Sequence, residues 1–142
     1  MSIAPHGGVL VRRFIPESAL PDALAEAKSL PSITLSAWSA SDLDLISIGG
    51  FSPLTGFLST EDYRSVLKEM RLANGLVWPI PITLPVDREQ ADGLKEGQTV
   101  ALRGPDGELL GRLHLTEKYT YDKEAEALAV YRTTDPAHPG VA

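Results

Sequence analysis

The chain has 142 residues, a net charge of −6 and no cysteine, which excludes disulfides, thiolate chemistry and cysteine-based zinc sites. A chain of this length suits one domain that buries roughly 68–70% of its unfolded surface, and its ordinary apolar content predicts a packed core. Acidic and basic residues are interspersed, which weighs against a clustered basic face for nucleic acid and leaves no obvious cationic pocket for an anionic substrate.

The N-terminal part of the chain predicts a loop, a short strand and one helix. His6 and two glycines form the loop, and residues 9–11 form the strand. The helix lies near residues 18–29, where apolar side chains recur at the spacing of one helical face and Pro31 ends the helix.

Two further helices follow in the first half of the chain. The second helix runs from about residue 40 to residue 48, with Ser39 and Asp42 in a capping-box pattern and Gly49 at its exit. The third helix spans about residues 60–73, is capped by Ser59 and Asp62, and ends at Asn74 and Gly75. It has a stripe of side chains predicted to be buried, namely Tyr63, Val66, Leu67 and Met70.

After Gly75 the pattern changes from helical to extended. The proline-rich residues 79–86 can form only an edge or bulged strand, because proline cannot donate to a central ladder. Residues 99–103 and 108–115 flank a Gly-Pro-Asp-Gly turn and predict a hairpin, with Leu109, Leu113 and Leu115 on one face. A last strand is predicted at residues 128–132. Helices followed by short strands and tight turns indicate an α+β domain whose sheet curls into a small barrel.

The segment GGFSPLTGFL at residues 49–58 carries the strongest family signal. It is followed by Asp62-Tyr63 and by WPIPI at residues 78–82. This succession closely resembles the N-terminal domain of the ATP sulfurylase (sulfate adenylyltransferase) family, in which a G-A-F-S-P-L-x-G-F segment precedes a D-Y helix and a W-P-x-P-I strand. Gly50 departs from the usual alanine. The resemblance covers essentially the whole chain and includes residues 42–46, 97–102, 119, 122–124 and 131–141.

The resemblance implies a small PUA-like β-barrel decorated with about three helices. Residues 1–132 would be the N-terminal PUA-like domain, and residues 133–142 a connection toward a catalytic domain absent from this chain. Enzymes of that family join sulfate to the α-phosphate of Mg-ATP and release pyrophosphate. Their catalytic machinery lies in a separate nucleotidyltransferase-type domain with a Q-x-R-N-P-x-H-x-x-H motif.

This chain contains neither that paired-histidine motif nor a P-loop. We therefore assign no catalytic, cofactor-binding or metal-binding residue here and expect a structural or interface role, inactive alone. Mg-ATP is implied for the parent enzyme only. The expected partners are the downstream catalytic domain and further copies of the parent, without nucleic acid or membrane. No apolar run approaches the ~18 residues of a membrane span, and the N-terminus lacks signal-peptide features, so we expect a cytoplasmic location.

An alternative interpretation is a stand-alone PUA-like module that binds RNA or protein. The fold alone is weak grounds for a function, and the acidic charge balance argues against RNA. The discriminating observation is whether the gene continues past Ala142 into the paired-histidine motif.

Several polar residues have both a functional and a purely structural interpretation. Arg64, Lys68 and Arg71 fall on one predicted helical face and could bind sulfate or phosphate, although a solvated face is the expected use. His6, His114 and His138 lack the organised spacing of zinc ligands. His114 is expected on the outer face of its strand, and His138 is expected to shape the passage into the next domain with its imidazole hydrogen-bonded.

Other candidates are treated in the same way. Asp42 and Asp44 are two residues apart on a helix and should face apart, which makes them poor partners for acid–base chemistry. Tyr63 and Trp78 could stack on a base, but use in the core or as loop anchors is expected. Gly7-Gly8 could approach an anion, yet no helix clearly starts there.

Overall fold

The computed structural model describes residues 2–142, in which five α-helices and three strands are found. In chain order they are α1 (Leu20–Ala27, preceded by a 3-10 turn at Glu17–Ala19), β1 (Ser32–Thr34), α2 (Ala37–Ile48), α3 (Thr60–Glu69), α4 (Arg88–Gly93), β2 (Thr99–Arg103), β3 (Leu109–His114) and α5 (Lys123–Tyr131). The α+β class is therefore confirmed, but the expectation of about three helices is wrong because α4 and α5 were not predicted.

The chain divides into two compact units. The first unit runs up to Phe57 and resumes at Thr83–Lys118, and the second comprises Leu58–Ile82 and Tyr119–Ala142. All three strands belong to the first unit, whereas α3 and α5 belong to the second.

The first unit is built on a three-stranded sheet with β2 in the centre. Strand β1 pairs with β2 in parallel, with Ile33 opposite Leu102, and β3 pairs with β2 antiparallel, with Val100 opposite Leu113. An irregularity between Leu102 and Arg103 shifts the hairpin register. Among residues 2–142 this sheet has three strands and does not close, so the predicted barrel is not seen.

The core of the first unit forms on one side of this sheet. It consists of apolar side chains that are almost completely buried, namely Ile33, Leu35, Leu94, Val100 and Leu102. Leu113 and Leu115 pack against them, as the alternation along the hairpin predicted, while Leu110, Arg112 and His114 are exposed on the opposite face. The prediction of the hairpin is therefore confirmed, both in the position of its strands and in which side chains point toward the core.

Helix α2 begins three residues earlier than predicted. Its N-cap is Ser36, whose Oγ accepts a hydrogen bond from the Ser39 N–H at 3.1 Å. The predicted pairing of Ser39 with Asp42 is therefore wrong, because Ser39 is itself buried inside the first turn. The predicted exit is confirmed, since Gly49 adopts the left-handed conformation at φ 85°.

Helix α3 has the predicted start and an earlier end. Ser59 Oγ accepts from the Asp62 N–H at 3.2 Å, which confirms Ser59 as a cap. Asp62 Oδ1 accepts instead from the Ala73 N–H at 2.8 Å, beyond the end of the helix, so the predicted capping role of Asp62 is wrong. The helix stops at Met70, which adopts a left-handed conformation at φ 53°. Asn74 and Gly75 form a separate tight turn, in which the Gly75 N–H donates to the Leu72 carbonyl at 2.8 Å.

Three strand predictions are wrong. Residues 9–11 and 79–86 form no strand. An isolated antiparallel bridge joins Arg71 and Val77, just before the second of these ranges. Residues 128–131 belong to α5, because Asp122 Oδ1 caps that helix by accepting from the N–H groups of Glu124 and Ala125, each at 3.0 Å. Glutamate and alanine are strong helix formers, and the capped run extends through the short apolar stretch that resembled a strand.

Candidate functional site

The segment at residues 49–57 is held by backbone contacts and one buried hydroxyl. Ser52 Oγ accepts from the Val11 N–H at 2.9 Å and donates to the Gly49 carbonyl at 2.7 Å. A Cβ at position 49 would lie 2.7 Å from Leu10 Cδ1 and 2.9 Å from the Val11 carbonyl oxygen, so only glycine fits there. The sequence interpretation missed the role of Ser52, because nothing local shows that Val11 would supply its donor.

A group of hydrogen-bonded polar side chains in the second unit links α3 to α5. The buried Tyr63 donates its hydroxyl proton to Glu126 Oε2 at 2.6 Å, and its ring centroid lies 5.4 Å from that of Tyr119. Tyr119 in turn donates to the Leu58 carbonyl at 2.9 Å. Burial, then the hydrogen bond to Glu126 and the charge of that carboxylate, raise the pKa of Tyr63 well above its usual value.

The raised pKa of Tyr63 keeps its hydroxyl protonated, so it acts as a donor and not as a base. The expected use of Tyr63 in the core is confirmed, since 6% of the residue is exposed. Trp78 is half-buried, and its backbone N–H donates to the Met70 carbonyl at 2.8 Å.

The two aspartates of α2 do not form an acid–base pair. Asp42 is half-buried, and desolvation raises the pKa of its carboxyl group, whereas Asp44 is exposed. Because Asp42 does not cap the helix, the capping role that the sequence suggested for it is wrong.

The three basic residues considered as an anion site do not share one helix. Arg64 and Lys68 lie on α3, but Arg71 follows its end and donates to the Gly75 carbonyl at 2.8 Å. All three are exposed, and Lys68 Nζ is 3.3 Å from Glu69 Oε1. Their exposure agrees with the expected solvated surface.

The histidines occupy three different settings. His6 is exposed in the N-terminal loop, and His114 is exposed on β3 with Nδ1 3.4 Å from Thr99 Oγ1. His138 is half-buried, and its Nδ1 accepts from the Gly140 N–H at 3.1 Å. Within residues 2–142, no group of three or more histidine, aspartate or glutamate side chains is arranged to hold a metal ion.

Gly7-Gly8 and the open groove beside β1 complete the set of candidates. Both glycines adopt positive φ in the exposed N-terminal loop, where no helix begins. The groove is lined by Thr34, Asp87, Glu89 and Gln90, and its two carboxylates would repel an anionic substrate. No helix in the described part of the chain is both long and apolar enough to cross a bilayer.

Comparison with known proteins identifies the family that this chain matches. The family described as "PUA-like domain" matches residues 3–142. A sulfate adenylyltransferase of Synechococcus sp. (strain JA-3-3Ab) is 56% identical over 140 residues, which cover 99% of this chain and 36% of that protein. A sulfate adenylyltransferase of Symbiobacterium thermophilum is 50% identical over 139 residues, covering 98% of this chain and 35% of that protein.

A solved structure shares the fold as well. The hexameric APS kinase from Thiobacillus denitrificans superimposes with a TM-score of 0.75 at 36% identity, over 84% of this chain and 24% of that chain. The present chain thus spans little more than a third of the curated relatives and about a quarter of the solved one. On the match across residues 3–142, the chain belongs to the PUA-like domain family.

Proposed function

We propose that this chain is the N-terminal domain of a sulfate adenylyltransferase, the enzyme that forms adenosine 5′-phosphosulfate and pyrophosphate from ATP and sulfate. One observation carries the proposal: 99% of the chain matches an enzyme of that name at 56% identity, yet the match covers only 36% of the enzyme. Residues 1–132 form the domain in this proposal, and residues 133–142 lead toward the catalytic part.

In this proposal the domain supports catalysis without taking part in the chemistry. The chain lacks the paired-histidine motif, and two of its buried polar side chains have structural partners: Tyr63 donates to Glu126, and Ser52 bridges two backbone groups. Adenylyl transfer requires cations and amides at the phosphates. Mg-ATP and sulfate are therefore substrates of the downstream domain.

A small β-barrel is part of the same proposal, although the sheet found within residues 2–142 has three strands and is open. Leu84 and Val86, within the proline-rich residues 79–86, pack against the core cluster of the first unit. The register shift at Leu102/Arg103 supports this part of the proposal, because irregularities of that kind generally increase the twist that closing sheets need. We expect nuclear Overhauser contacts between the backbone of residues 83–86 and a strand edge, and their absence would contradict a barrel.

Oligomerisation and location extend the proposal to the parent protein. The APS kinase from Thiobacillus denitrificans is hexameric, which supports a homo-oligomer for the parent of this chain. A cytoplasmic location is proposed for the parent as well. Size-exclusion chromatography with light scattering measures the mass of the longer protein, and a monomer would contradict the proposed homo-oligomer. Fractionation of cells tests the proposed location.

The proposed activity is tested by comparing two proteins, the 142-residue chain and the longer protein read from the same gene. We expect sulfate-dependent release of pyrophosphate from ATP by the longer protein and none by the chain. Circular dichroism of the chain serves as the control for folding. Turnover by the chain alone would refute the placement of catalysis downstream, and a gene without the paired-histidine motif would refute the domain assignment.

A further inference from the structure

The residues that follow α5 form a succession of hydrogen-bonded turns. Arg132 adopts a left-handed conformation at φ 60°, and its N–H donates to the Leu128 carbonyl at 3.1 Å. Thr133 Oγ1 accepts from the Asp135 N–H at 3.1 Å, and Asp135 Oδ1 accepts from the Ala137 N–H at 2.9 Å. Flexible linkers lack such regular bonding, so this segment has the local structure of an ordered element.

The turns bring the end of the segment back onto the last residue of α5. The imidazole of His138 lies over the ring of Tyr131, with centroids 5.0 Å apart and planes at 36°. His138 Nδ1 accepts from the Gly140 N–H at 3.1 Å. The backbone closes the turn, since the Val141 N–H donates to the His138 carbonyl at 2.9 Å.

Gly140 lies against the same aromatic ring. A Cβ at this position would be 2.5 Å from Cζ and 2.6 Å from Cε1 of Tyr131. Gly140 is not among the glycines with positive φ, so the conformation alone does not demand glycine. The backbone approaches the tyrosine ring so closely that a Cβ at position 140 fits only if the ring shifts.

We propose that Tyr131, His138 and Gly140 form a clasp that makes residues 132–141 a rigid exit from the second unit. A rigid exit gives whatever follows a single direction relative to α5, whereas a flexible linker samples many directions. The consequence for the parent enzyme, a fixed orientation of its catalytic domain, rests on the proposed function. The clasp itself does not depend on the proposed function, because all of its residues lie in this chain.

The clasp is tested first by nuclear magnetic resonance of the 142-residue chain. We expect heteronuclear ¹⁵N NOE values of residues 133–140 to match those of α5, and the Gly140 α-protons to be shifted upfield by the Tyr131 ring. Gly140→Ala should lower the NOE values and abolish the shift. Gly93→Ala is the matched control, because Gly93 is exposed, lacks positive φ and has nothing within 4 Å of an added Cβ.

A double-mutant comparison isolates the cause. In a Tyr131→Leu background the ring is gone, so adding Gly140→Ala should change the NOE values no further. Chemical shifts of Tyr63 and Glu126 report whether the second unit remains folded in every variant. The clasp is overturned if residues 133–140 are mobile in the unsubstituted chain, or if Gly140→Ala has the same effect with and without the ring.

The orienting role is then tested in the longer protein with spin labels placed on α3 and on the downstream part. We expect one narrow distance distribution, which Gly140→Ala broadens at least twofold and Gly93→Ala leaves unchanged. An unchanged distribution in Gly140→Ala refutes the orienting role. Absence of sulfate-dependent turnover in the unsubstituted longer protein refutes the proposed function instead, and leaves the clasp result from the shorter chain intact.

Discussion

Replacing Tyr63 with phenylalanine removes one hydroxyl from the contact between α3 and α5 and changes little else in volume. The lost bond is the 2.6 Å donation to Glu126 Oε2. A hydrogen bond to a charged group contributes about 1.5–3 kcal/mol to stability. Because Glu126 is half-buried and water can partly replace the hydroxyl, we expect a loss near the lower end, about 1.5 kcal/mol.

Urea denaturation followed by circular dichroism measures this loss as a lower midpoint with an unchanged slope. Tyr121→Phe is the matched control, because it makes the same substitution at a tyrosine that is 42% exposed. Exposed substitutions of that kind usually change stability by less than about 0.5 kcal/mol. Equal losses in the two variants would refute the proposed contribution of the Tyr63–Glu126 bond.

The same residue predicts a dependence on pH. The pKa of Tyr63 is raised in the folded state, so the folded protein holds this proton more tightly than the unfolded chain does. The stabilising effect is complete below the unfolded pKa of about 10 and is lost as pH rises above that value. Stability should therefore fall less steeply above that pH in Tyr63→Phe than in the unsubstituted chain, and parallel curves would contradict this assignment.

Three further outcomes are expected. Ser52→Ala leaves the Val11 N–H and the Gly49 carbonyl without their side-chain partner, so thermal unfolding should show a loss of about 1–3 kcal/mol, and an unchanged midpoint would contradict the bridge. Leu102→Ala opens a cavity in the buried central strand and should cost about 2–5 kcal/mol in urea, a value that an exposed control such as Leu110→Ala should not approach. A gel-shift titration with structured RNA should show no salt-sensitive binding, and tight binding would favour the alternative of an RNA-binding module.

The accurate predictions of caps and turns came from residues close together in the chain. Ser59 caps α3 because its hydroxyl reaches an N–H three residues ahead, and the Gly-Pro-Asp-Gly turn brings β2 and β3 together without help from the rest of the chain. The predicted cap of α2 shows that a short-range pattern can also fail. The sequence analysis predicted a cap at Ser39, but Ser39 is buried within the first turn and Ser36 caps the helix.

The candidate site could be predicted less completely. The absence of a paired-histidine motif is visible in the chain, and the resemblance of residues 49–58 indicates the family without any tertiary information. The residues that Ser52, Tyr63 and His138 contact through hydrogen bonds or ring packing cannot be read from the sequence. Tyr63 and Glu126 are 63 residues apart, and no periodicity relates them.

The sequence by itself determined the α+β class, the start of α3, the hairpin and the family resemblance, because each depends on residue types at short spacing. Tertiary structure decided the parallel pairing of β1 with β2, since a three-residue strand is too short to show a period and gains its hydrogen bonds from a distant segment. It also decided that residues 133–141 fold back onto Tyr131. That outcome follows from the close approach of Gly140 to an aromatic ring, which only the folded chain brings about.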